Sequence, residues 1–96
     1  MRPIPDSAKV VASPDLLTTD FGDELVVLNL RDGFYYSLDA LGIRIWRLIQ
    51  DPVTLLDIQE AVTSEYEVDA MRCERDVRAF LDELAGRGLI EIREGP

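Results

Sequence analysis

The sequence predicts an α+β domain laid out like a winged helix: a three-stranded antiparallel sheet followed by three helices and a short C-terminal strand. Three observations predict it. An apolar, β-branched run, Leu25-Val26-Val27-Leu28, is followed by an Asp32-Gly33 turn and a second extended run, which marks a hairpin. Apolar residues then recur at helical spacing after each of three capping residues, Asp39, Thr54 and Asp69. Finally, 96 residues make one domain rather than two, with a core that can bury roughly 60–68% of the surface the unfolded chain exposes.

The elements follow in order. Residues 1–7 hold two prolines and no periodicity, so they are expected to be a flexible lead-in, with residues 8–96 as the single domain. Residues 8–12, Ala-Lys-Val-Val-Ala, read as a short strand ended by Ser13-Pro14-Asp15. Residues 16–19 extend or bend it, and Phe21-Gly22-Asp23 turns the chain. Residues 24–30 form a well-buried strand, and residues 34–38 return beside it. On that return strand Phe34, Tyr36 and Leu38 share one face, and Tyr35 and Ser37 the other.

Asp39 then caps a helix with Leu41, Ile45, Leu48 and Ile49 on one face, Ile43 and Trp46 close by, and Arg44 and Arg47 pointing away. Gln50-Asp51-Pro52 stops it. Thr54 caps a second helix over residues 55–66, with Asp57 placed for a capping box. Its apolar set is Leu55, Ile58, Val62 and Tyr66. Asp69 caps a third helix over about residues 70–86. At about 100° per residue, Phe80, Cys73, Leu84, Val77 and Leu81 fall within about a quarter turn of its circumference. Gly86 and Gly88 end it, and residues 89–93 read as the terminal strand.

Composition excludes several function classes. The formal net charge is −9, from 19 acidic and 10 basic residues, and most of the excess lies in the second half of the chain. Such a surface repels phosphate backbones and anionic membranes, so neither nucleic acid nor a membrane is an expected partner. The apolar run at residues 25–28 is far short of the ~18–20 residues a membrane span needs. Met1-Arg2-Pro3-Ile4-Pro5 carries no signal-peptide core, and the lone Cys73 can form no internal disulfide, so a cytoplasmic location is expected.

The chemistry of catalysis is also poorly supplied. There is no histidine, which removes the usual partner of a Ser or Cys nucleophile and the commonest transition-metal ligand. Cys73 lies in the middle of the third helix's apolar arc and is expected to be an inert, packed thiol. The adjacent acids Asp82 and Glu83 diverge by about 100° on a helix and are expected to lie in water rather than converge on a substrate. No phosphate-binding loop or EF-hand spacing occurs. No enzyme, cofactor or metal is expected.

The strand at residues 34–38 offers a different chemistry. Its side chains are accounted for by packing, but its backbone is not. The third strand of a meander is an edge, and this one carries no lysine, proline or inward charge to block pairing. An extended peptide can add there as a further strand, with main-chain bonds giving register and flanking pockets giving selectivity. The third helix supplies a second wall. Spacing alone does not decide which of its flanks faces the sheet. The flank with Arg72, Asp76, Ala79 and Glu83 mixes small and charged residues beside Phe80 and is the one selected here. The candidate site is therefore Phe34, Tyr35, Tyr36, Ser37 and Leu38 with Arg72, Cys73, Asp76, Ala79 and Phe80.

Gly33-Phe34-Tyr35-Tyr36-Ser37-Leu38-Asp39-Ala40-Leu41-Gly42, followed by Ile45-Trp46-Arg47-Leu48-Ile49, resembles the strand-to-helix segment of PqqD-like proteins. Phe80-Leu81-Asp82-Glu83-Leu84 and Gly88-Leu89-Ile90-Glu91 are similar to that family's C-terminal end. The resemblance spans about residues 8–93. It implies a recognition element of ribosomal-peptide modification, which binds the leader of a precursor peptide as a strand against the third strand and third helix. The small size and acidic balance resemble the stand-alone leader-binding protein of lasso-peptide pathways. That resemblance implies a separate leader peptidase as partner and a cyclase acting later. The competing readings are a winged-helix transcription regulator, opposed by a second helix with Asp57, Glu60 and Glu65 and no Lys or Arg, and a thiol enzyme using Cys73.

Overall fold

The computed structural model describes residues 4–94. Its elements run β1 (Lys9–Ala12), β2 (Leu16–Asp20), β3 (Leu25–Asn29), β4 (Tyr35–Leu38), α1 (Ala40–Leu48), β5 (Val53–Thr54), α2 (Leu55–Glu65), α3 (Ala70–Gly86) and β6 (Ile90–Arg93). The class is α+β as expected, but the strands divide differently. There are two antiparallel three-stranded sheets, ordered β2-β3-β4 and β5-β1-β6. The run at residues 16–19, expected to extend or bend the first strand, is a strand of its own in the other sheet. Asp15 makes the break. It holds φ at +63°, in the left-handed region that an L-residue adopts at a cost. The hairpin therefore takes β2 as its third member, while β1 pairs with β6, Lys9 opposite Arg93 through Ala12 opposite Ile90. The two-residue β5 was not expected. It pairs Val53 and Thr54 with Val10 and Lys9.

The hairpin forms where the sequence places it. Leu25 faces Leu38, and Leu28 faces Tyr35. Gly33 turns with φ +76°, and the Asp32 carboxylate accepts from the Phe34 amide at 2.9 Å. Phe34 belongs to this turn, not to the strand, so it does not share the inward face of Tyr36 and Leu38. It is 72% exposed.

Caps set the helices as the sequence predicts. The Asp39 side chain accepts from the Gly42 amide at 2.9 Å. Thr54 and Asp57 exchange hydrogen bonds in a capping box. Asp69 accepts from the Met71 amide at 3.3 Å. In α3 the buried residues are Cys73, Val77, Leu81 and Leu84, with Phe80 half-buried at the margin. Leu41, expected on the core face of α1, is instead exposed at the start of the helix, and Tyr66 is exposed after α2.

One core joins both sheets to the helices through Val10, Val27, Leu38, Ile45, Ile49, Leu55, Ile58, Leu81 and Leu84. The lead-in is not loose throughout. Ile4 is buried in this core, and Arg78 of α3 donates to its carbonyl at 2.7 Å and pairs with Asp6. Apolar burial and a guanidinium thus hold residues 4–7, while residues 1–3 lie outside the described residues.

Candidate functional site

Strand β4 is an edge. Among the described residues it pairs with β3 on one side and with no strand on the other, as the order of its sheet requires. Beside it a cleft of about 470 Å³ opens between β4 and α3. Tyr36, Ser37 and Leu38 form its sheet wall; Arg72, Cys73, Asp76, Val77 and Phe80 form its helix wall. Leu41, Gly42 and Ile45 of α1 line it too, with Val62 of α2 and Val68 ahead of α3.

Local sequence explains this geometry. Asp39 joins β4 to α1 with no intervening loop, so Leu38 is buried while the strand ahead of it stays at the surface. Gly42 allows the close approach: a Cβ there would lie 3.3 Å from the Leu38 Cβ and 3.3 Å from the Asp39 Oδ1. At the far end of the cleft, Asn29 fastens the hairpin to the end of α3. Its Nδ2 donates to the Arg87 carbonyl at 3.1 Å, and its Oδ1 accepts from the Arg31 amide at 2.9 Å. Tyr36 reaches the same helix end, where the Arg87 guanidinium lies over its ring, 4.8 Å from the centroid. A smaller cleft of about 270 Å³ lies beyond Tyr36, lined by Asp32, Phe34, Tyr35 and Arg87.

The flank of α3 that faces β4 carries Arg72, Asp76 and Phe80. The other flank is covered by the N-terminal segment through Arg78. Arg72 and Asp76 form an exposed i,i+4 pair at 3.7 Å. Ala79 is exposed and does not line either cleft, and Phe34 and Tyr35 line only the smaller one. The sequence reading did not include Asp23, Glu24, Leu41, Gly42, Ile45, Val62 and Val68, which reach the larger cleft from four other parts of the chain. Only Gly42 carried a local signal, as a glycine in the first turn of a helix.

The titratable groups suit packing rather than reaction. Burial, and then Asp76, raise the Cys73 thiol above its ordinary range, so it stays protonated at neutral pH. Burial also raises the Tyr36 phenol, assisted by the Glu83 carboxylate beside its hydroxyl. Among the described residues no group of three His, Cys, Asp or Glu side chains is placed to hold a metal ion. No described helix is long and apolar enough to cross a membrane.

Residues 24–90 match the family described as coenzyme PQQ synthesis protein D, PqqD. The chain belongs to the PqqD family. Two solved structures extend the comparison within the fold of that family. The first, TbiB1 in complex with the TbiA(beta) leader peptide, is 40% identical. The alignment covers 84% of this chain and 94% of that one, with a TM-score of 0.79. The second, lasso peptide synthetase B1 complexed with the leader peptide, is 27% identical. It covers 85% and 96% of the two chains, with a TM-score of 0.76. A comparison with curated proteins finds no match. Both of these solved structures are complexes with a leader peptide, and this chain is a PqqD-like recognition element.

Proposed function

We propose that the protein is a non-catalytic recognition element of a lasso-peptide pathway. It takes the leader segment of a ribosomally made precursor as an added strand on β4, alongside α3, and presents the precursor to a separate leader peptidase, with a cyclase acting later. The observation that carries this reading is the unpaired edge of β4 opening on an apolar cleft walled by α3. Main-chain groups on that edge supply affinity without sequence preference, and the cleft beside them supplies the preference. The relatives solved in complex with leader peptides support the ligand class.

Nucleic acid is a poor alternative. Helix α2, which would occupy the place of a recognition helix, has acidic residues and no Lys or Arg, and the chain as a whole carries −9. Fluorescence anisotropy with a labelled leader peptide, the TbiA(beta) leader serving as a first surrogate for the cognate one, separates the readings. Binding at micromolar or tighter Kd, with no binding of labelled duplex DNA at low salt, is the expected result. Tight DNA binding with no leader binding would replace this function with the regulatory one.

A further inference from the structure

The cleft beside β4 is unevenly charged. At its Leu38 end it is bordered by Asp23 and Glu24, whose carboxylates form no salt bridge among the described residues, and by Asp39, whose carboxylate caps α1 by accepting from the Gly42 amide. Among the described residues the only cation lining it, Arg72, is paired with Asp76 at 3.7 Å. Four carboxylates against one guanidinium leave the lining three charges negative. Toward the other end of the strand the lining reaches Tyr36, whose ring lies under Arg87, itself paired with Glu83 at 3.7 Å. The space between is apolar, with Leu41, Ile45 and Phe80 facing it. One end of the groove therefore holds uncompensated negative charge, and the middle accepts an apolar side chain.

We propose that this cleft selects a basic peptide segment and fixes its direction, taking an extended segment in which Lys or Arg precedes an apolar anchor. The inference rests on the reading of β4 as the docking edge. The direction comes from the sheet. Strand β4 runs from Tyr35, ahead of Tyr36, to Leu38 at the acidic end, and every pairing in its sheet is antiparallel. An incoming strand that continues this pattern, the more stable of the two ladders, places its N-terminal side at Asp23, Glu24 and Asp39. Basic residues there meet the Asp23 and Glu24 carboxylates, and the following apolar residue reaches the cleft. The same field repels an acidic segment, so the charge rejects wrong occupants as well as attracting right ones.

The test is a selection of random 12-residue displayed peptides on the full chain at low salt, followed by amide-shift mapping of the peptides recovered. Lys and Arg enriched on the N-terminal side of an apolar position, in peptides that shift residues 35–38, is the expected result. Asp23→Asn with Glu24→Gln should weaken a recovered basic peptide by roughly three- to tenfold, flatten its salt dependence, and leave a neutral peptide unchanged. Both residues lie in an exposed turn, so the double variant keeps the fold. Peptides that shift residues 35–38 with no basic preference, or with basic residues on the C-terminal side, overturn the charge and direction while the docking edge stands. Recovered peptides that leave residues 35–38 unmoved, or no recovered peptides at all, overturn the docking edge and the inference with it.

Discussion

If the leader docks on β4 as proposed, Tyr35 serves recognition while Trp46 serves folding. Tyr35 is 69% exposed on the outer face of the edge strand, opposite Leu28, so its removal leaves the core intact. Trp46 is 4% exposed within the core. Trp46→Ala should cost about 3–5 kcal/mol of stability in urea titration, and Tyr35→Ala should weaken leader binding with little change in the unfolding midpoint. Equal losses of stability in the two variants would contradict this. Titration gives a second residue-scale prediction. Cys73 and Tyr36 are both raised, chiefly by burial, so the folded chain keeps protons that the unfolded chain releases. Their contribution is full below the unfolded values, near 8.5 for Cys and 10 for Tyr, and is lost as pH rises through the folded ones. The urea midpoint should therefore fall above about pH 9. The acid limb has the opposite sign. Asp57, held low by the Thr54 amide, and Glu65, held low by Arg44, contribute above the ordinary carboxylate range and cease to contribute as pH falls below about 4.

At the scale of elements, what was legible in the sequence was what is local. The Asp32-Gly33 turn, the caps at Asp39, Thr54 and Asp69, and the buried stripe of α3 each depend on residues within a few positions, and each forms. The division into two sheets was not legible. β1 pairs with β6 from the other end of the chain, and no local pattern states that choice. Asp15 in a left-handed conformation, which ends β1 and starts β2, is equally hidden, since aspartate tolerates that region without requiring it. The cleft divides the same way. Its sheet wall, residues 36–38, follows from strand order, whereas helical phase sets the buried stripe of α3 without deciding which flank faces β4, and the structure makes that choice. Asp23, Glu24, Val62 and Val68 reach the cleft only because separate elements converge. The cap at Asp39 links both scales, because it fixes α1 directly onto the end of β4. Asp39→Ala should cost about 1 kcal/mol by denaturation and should also weaken leader binding, since it frees the Leu38 end of the edge strand. A variant that loses the stability but binds normally would show that the cap does not position the edge.

At the scale of the whole molecule, the β4 margin of one sheet opens on a cleft beside α3, in a chain of formal charge −9. The rest of the fold supports that margin. The second sheet and the N-terminal segment cover the far side of α3, Asn29 ties the hairpin to its end, and the shared core holds β4 and α3 at a separation that leaves the cleft open. The central claim is that a leader enters as a strand at this margin, and amide mapping of the isotope-labelled protein during titration with unlabelled leader tests it most directly. The shifts should concentrate in residues 34–38 and 72–80, with the free amides of β4 gaining protection from exchange. Shifts confined to α2, with β4 unchanged at saturation, would contradict the account.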